Sequence, residues 1–162
     1  MTTFQAGQRL TAATLNAAIG LRAAKGANTP RSTNTTLTAD PDLSVAVLAN
    51  SRYLVTLSLP YNGAATGTGD LKLGFSVPSG STLPGGFLGI ANPLGVAILP
   101  VTAASTLFSA TNGTGNPLWC QVTATLFTST TAGSLILMWA QNTSNATATT
   151  LMAGASLQAV QD

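Results

Sequence analysis

Apolar residues recur at every second position through much of this chain, and that spacing suits a half-buried β-strand. Leu71, Leu73, Phe75 and Val77 alternate with Lys72, Gly74 and Ser76, and Tyr53, Val55, Leu57 and Leu59 alternate with Thr56 and Ser58. Leu43, Val45 and Val47 alternate with Ser44 and Ala46, and Cys120, Val122, Ala124 and Leu126 with Gln121, Thr123 and Thr125. Successive side chains of a strand point to opposite faces, so each stretch carries one apolar and one polar face. Leu135 to Ala140 is apolar on both faces, as in a strand covered on both sides, and Leu151 to Val160 closes the chain. The 26 threonines add to the same reading, because a branched Cβ suits a pleated surface.

Turn chemistry separates these stretches at Asp40-Pro41, Asn50-Ser51, Asn62-Gly63, Pro78 to Gly80, Pro84-Gly85-Gly86, Asn112 to Pro117 and Ala132-Gly133. Many short strands joined in this way predict a mainly β domain, an antiparallel β-sandwich or jelly roll rather than βαβ units. With 162 residues the chain has the size of one domain with a real core.

The residue inventory limits the chemistry. The chain has no histidine and no glutamate, and its side-chain carboxylates are Asp40, Asp42, Asp70 and Asp162. General acid–base pairs, Ser-His-Asp constellations and zinc sites draw on the missing residues, so neither an enzyme nor a cofactor or metal site is expected. Charged residues make up 6% of the chain, against about 25% in ordinary soluble domains. Mean hydropathy is +0.35, yet no apolar run approaches the roughly 18 residues of a membrane helix. So little charge leaves a free monomer prone to association, which residence in an ordered oligomer would relieve. Cys120 is the single cysteine, so no intrachain disulfide is possible. The start, Met1 to Gln5, lacks the basic-then-apolar layout of a signal peptide, which predicts synthesis in the cytoplasm.

Charge divides the chain in two. Residues 1–31 hold Arg9, Arg22, Lys25 and Arg31 and no acid (+4), whereas 32–162 hold Arg52 and Lys72 against four aspartates (−2), which sums to the net +2. Residues 1–31 are therefore expected to be a basic attachment arm and 32–162 the β domain. Four dispersed cations without interleaved aromatics are a weak nucleic-acid footprint, and docking on an acidic protein surface fits better. The pattern predicts a helix over about 11–25, with Thr11 as cap, Leu10 and Leu15 spaced as a hydrophobic staple, and Leu15, Ile19 and Arg22 on one face. So narrow a stripe does not fold alone. It packs either on its own β domain or on a partner or copies of itself. Residues 27–36 read as a polar linker or an extended entry strand.

Other motifs carry less. Asp40-Pro41-Asp42 offers two carboxylates to calcium but lacks the remaining ligands of a calcium loop, so a turn is the better reading. Gly63, Gly67 and Gly69 with Asp70 lack the lysine and helix start of a phosphate loop. Trp139 lies within the most apolar stretch and reads as core. Tyr61 and Trp119 lie beside turn signals and are the candidate platforms for stacking on a sugar.

The segment Phe4-Gln5-Ala6-Gly7-Gln8-Arg9-Leu10-Thr11-Ala12-Ala13-Thr14-Leu15-Asn16 resembles the opening of small virion proteins of tailed phages that infect actinobacteria. The stretch from Thr35 to Gly80 is similar to the β portion of such proteins, and beyond about residue 80 the likeness is compositional. These proteins are described as capsid-decoration, minor tail or fibre components. The resemblance implies a non-enzymatic virion protein made in the host cytoplasm, anchored by its N-terminal arm with the β domain displayed on the particle. It implies partners among the major capsid or tail proteins, reached through Phe4, Arg9, Leu10, Leu15, Ile19 and Arg22, and a homotrimer. Capsid decoration is the favoured placement. A minor tail or fibre protein whose β domain binds host glycans is the alternative.

Overall fold

The computed structural model describes residues 7, 11, 20–65, 67–91 and 95–162. Among these there are twelve strands and no helix: β1 Leu21–Ala24, β2 Thr29–Arg31, β3 Thr38–Val47, β4 Arg52–Asn62, β5 Leu71–Ser76, β6 Gly85–Ala91, β7 Gly95–Val101, β8 Leu107–Ser109, β9 Leu118–Phe127, β10 Gly133–Gln141, β11 Thr149–Leu151 and β12 Ser156–Gln161. All pairings are antiparallel. The larger sheet runs β1-β12-β4-β9-β6-β7, with β11 also on β4 and β2 paired to β11. The smaller sheet runs β3-β10-β5-β8.

The two sheets share one core. Val55, Leu57, Leu59, Phe87, Val122 and Leu126 come from the larger sheet, and Leu43, Val45, Leu73, Leu135, Leu137 and Trp139 from the smaller, all buried. Each set recurs at alternate positions, so the period-two reading of β3, β4, β5 and β9 matches the observed burial. In β5, Leu73 and Phe75 are buried while Lys72 is half-buried and Ser76 is exposed, the register in which the lysine stays out of the core.

Three sequence expectations are corrected. The predicted helix over 11–25 fails in its second half, because Leu21–Ala24 is strand β1, paired with β12 from Leu21↔Ala159 to Ala24↔Ser156. Residues 12–19 lie outside the described residues. The four residues Leu-Arg-Ala-Ala have some helical preference, but pairing along a whole strand edge outweighs it. Residues 21–31 accordingly belong to the β domain, since β2 pairs β11 in the same register as β1 pairs β12. Finally, Asp40-Pro41 is not a turn between strands but lies inside β3. Four residues, Asp40 to Leu43, stand opposite the single residue Leu137 of β10, between the pairs Ala39↔Met138 and Ser44↔Ile136. β3 is an edge strand, and an edge bulge is where a sheet tolerates proline.

The hairpin of β6 and β7 was not expected, because Pro84-Gly85-Gly86 reads as a breaker. Gly85 is the first residue of β6, and it has a steric reason to be glycine. A Cβ there would lie 2.4 Å from both the Thr123 carbonyl oxygen and the Ala124 Cβ of β9. At Gly86 a Cβ meets nothing within 4 Å. Gly85→Ala should therefore destabilise the fold by about 1–3 kcal/mol through overpacking, while Gly86→Ala stays within about 1 kcal/mol of neutral. Denaturant unfolding of the two variants checks this, and equal stabilities would show that β6 is not held against β9 in this register.

Candidate functional site

The first chemically dense place is a buried ion cluster where the N-terminal strands meet the smaller sheet. Lys25 follows β1, and its backbone is held on both sides: its N–H donates to Ala155 O (2.9 Å) and its carbonyl accepts from Gly154 N–H (3.0 Å). That fixes the side chain toward the bulge of β3. Lys25 Nζ donates to Asp40 Oδ1 and Oδ2, both at 3.0 Å, and to Asp42 Oδ2 at 2.7 Å. The Lys25 and Asp40 side chains have no solvent exposure at all, whereas Asp42 is partly exposed.

Asp40 is the hub. Its Oδ1 accepts the backbone N–H groups of Asp42 (3.0 Å) and Leu43 (3.1 Å), which are the groups the bulge removes from the ladder. Its Oδ2 accepts the indole N–H of Trp139 at 2.9 Å. A carboxylate bonding forward to its own backbone two and three residues on is the ordinary way aspartate stabilises an irregular turn. Arg31 closes the cluster from β2. Its guanidinium lies 4.0 Å from the Trp139 ring centroid and donates to the carbonyls of Thr38, Ala39 and Trp139. Burial pulls the Arg31 guanidinium below its ordinary value, and the charge of Asp40 acts in the opposite sense.

Two of the four basic residues of the expected arm are thus internal ties, not docking charges. Arg22 sits on β1 and is exposed. Phe4, Arg9, Leu10, Leu15 and Ile19 lie outside the described residues. The carboxylates of Asp40 and Asp42, a possible calcium pair by sequence, face Lys25 instead. Among the described residues no group of three or more histidine, cysteine, aspartate or glutamate side chains comes together.

The two candidate stacking residues part company. Tyr61 is fully buried, with its hydroxyl 2.7 Å from Ser109 Oγ and donating to Ala110 O at 2.8 Å, so it has no face to offer a ligand. Burial raises its pKa, and the hydrogen bond to Ser109 offsets a smaller part. Trp119 is exposed on β9, its indole N–H donating to Ser58 Oγ at 2.8 Å, so the ring lies along the sheet. Cys120 points the other way, and burial pushes its thiol pKa up, which keeps it an inert core residue. Asp70 is a loop anchor: its Oδ1 accepts from the backbone N–H groups of Gly67 and Thr111, both at 3.1 Å. A shallow pocket lined by Ser81, Thr82, Leu83, Pro84, Thr102, Ala103 and Ala104 holds no titratable group.

The second feature is a surface. The outward side of the larger sheet carries Leu88 of β6 opposite Ile98 of β7, and Ile90 opposite Val96. Gln121 of β9 stands beside Leu88, with Trp119 two residues along on the same face. Val96 is 70% exposed and Ile98 77%. No aspartate, glutamate, lysine or arginine occurs between Lys72 and Asp162, so strands β6 to β12 are entirely uncharged. That run was the sequence signal for this surface, and hydropathy alternation does not report it.

Among the described residues no helix is long and apolar enough to cross a membrane. No protein-family model matches the chain, and no curated protein does.

Proposed function

We propose that this is a non-enzymatic structural protein of a phage virion, made in the host cytoplasm, with a β-sandwich domain displayed on the particle and an anchor in the residues that precede β1. The observation that carries this reading is the polarity of the larger sheet. The N-terminal segment joins the fold at one edge, β1, and the uncharged apolar hairpin occupies the opposite edge, β7. A domain so arranged can be held at one end and meet its neighbours at the other. The likeness of residues 4–16 to the opening of phage virion proteins supports the anchor, and the ion cluster ties the chain just after β1 firmly to the smaller sheet. On this reading the protein decorates the capsid by contact with the major capsid protein and self-associates as a homotrimer.

The exposed Trp119 favours one second reading, a minor tail or fibre protein whose β domain binds host glycans. With Tyr61 buried, that reading keeps a single stacking residue, and Trp119→Ala should then abolish retention on host cell-wall polysaccharide.

The anchor is tested by truncation at the boundary the fold sets. Deleting residues 1–19 should leave a folded β domain that no longer associates with particles. Deleting 1–26 is a different experiment, because it removes β1 and Lys25 and leaves Asp40 buried without its cation. Particles decorated at normal occupancy by the 20–162 protein would contradict the anchor.

A further inference from the structure

We propose that the β6–β7 hairpin is the contact between copies of this chain, with the free edge and outward face of β7 packing on a second copy. The inference rests on the self-association in the proposed function and names the surface that performs it.

Strand β7 ends the larger sheet, so the backbone groups along its outer side have no strand partner among the described residues. Such an edge is a template for another strand, and monomeric proteins blunt it with lysine, with inward-pointing charge or with a covering loop. β7 spans seven residues, Gly95–Val101, and carries no charge. Pro100, near its end, is the one blunting residue it has. Its outward side chains, Val96 and Ile98, are the two most exposed large apolar residues described, and Leu88 extends their patch onto β6. Exposed apolar surface of this kind marks an interaction site.

Charge selects the occupant. Every charged side chain of the protein lies at or before Lys72 or at Asp162, so the hairpin and the strands beside it have none. An acidic or basic partner would find no complementary charge there, and electrostatic steering and specificity would be missing. A second copy presents the same neutral, apolar edge, with no like charges brought together and no ion stripped of water. Self-contact by a closed symmetry would also remove the open edge that otherwise invites unlimited association.

The test is the mass of the full chain by light scattering across a dilution series, beside two variants. Val96→Lys/Ile98→Lys puts two charges on side chains that already face solvent, so the fold should persist, with unchanged circular dichroism. Thr143→Lys/Ser144→Lys adds the same charge in the exposed loop between β10 and β11. The parent and the loop variant should share one oligomeric mass, while the hairpin variant falls to 16.2 kDa, its dissociation constant raised on the order of a hundred-fold by repulsion across the contact. A hairpin variant with the parent's mass overturns the surface and leaves self-association standing. A loop variant that also dissociates overturns the surface in favour of a net-charge effect. A parent that is monomeric at every concentration overturns self-association and this contact together.

Discussion

Lys25→Met is expected to destabilise the protein by about 3–5 kcal/mol, a large fraction of the stability of an ordinary domain. The reason is what it leaves behind. Asp40 is wholly buried, and Lys25 Nζ bonds both of its oxygens. Without the ammonium group the carboxylate keeps three N–H donors but loses its counter-charge in a site that water does not reach. Removing one partner of a buried pair costs far more than the pair contributes against a hydrophobic replacement. The surface pair Arg52–Asp162 supplies the contrast. Both side chains are about half exposed, so Arg52→Ala should cost less than about 1 kcal/mol. Denaturant unfolding followed by circular dichroism reads both values, and a Lys25 variant as mild as the Arg52 variant would show that Asp40 is not closed off from water.

Trp139→Ala should cost about 3–5 kcal/mol for the lost ring alone, because Trp139 is completely buried at the centre of the smaller sheet. Two further losses accompany it. Asp40 Oδ2 forfeits its indole donor, and Arg31 forfeits the ring beneath its guanidinium. Trp139→Phe separates these effects, since it keeps an aromatic ring and removes the N–H, and it should cost about 1–3 kcal/mol. Combined with Lys25→Met, the phenylalanine variant should be non-additive by at least about 0.5 kcal/mol, because both changes act on one carboxylate. Additive losses would mean that Trp139 and Lys25 serve Asp40 independently, against the observed geometry.

The parts of the fold legible in the sequence are those whose two faces meet different surroundings. β4, β5 and β9 have one face on the core and one toward solvent, and their alternation states this directly. Tyr61 continues the phase of Tyr53, Val55, Leu57 and Leu59 and is buried with them, so its phase was a better guide than its nearness to a turn. β6 and β7 were illegible for physical reasons. Gly85, Gly86 and Gly89 are tolerated in β6, and at Gly85 and Gly89 a side chain would strike Ala124 or Phe87, yet in a sequence they read as loop. In β7 the outward Val96 and Ile98 are as apolar as the inward Ala97, Leu99 and Val101, of which only Val101 is fully buried, so no alternation of polar and apolar residues marks the strand.

The ion cluster was hidden by separation along the chain. Lys25 is 15 residues from Asp40 and 17 from Asp42, and Trp139 is 99 residues from Asp40. No local pattern links them, so a count of charge in residues 1–31 assigned Lys25 and Arg31 to a docking arm. A bulge in an edge strand is likewise invisible locally, because Asp40-Pro41-Asp42 carries the residues of a turn. In a chain with ten charged side chains (six basic, four acidic), two acids with a single residue between them were nevertheless a hint that a cation would be buried against them.

A density map of intact particles, fine enough to place β-sheets, decides between these accounts of the protein. The proposed function predicts the β domain on the particle exterior, with β1 nearest the particle, the preceding residues on a capsid protein, and the β6–β7 hairpins of neighbouring copies in contact. Particles that carry no such domain, or a domain seated on the particle through β7 with its β1 edge toward solvent, would contradict it.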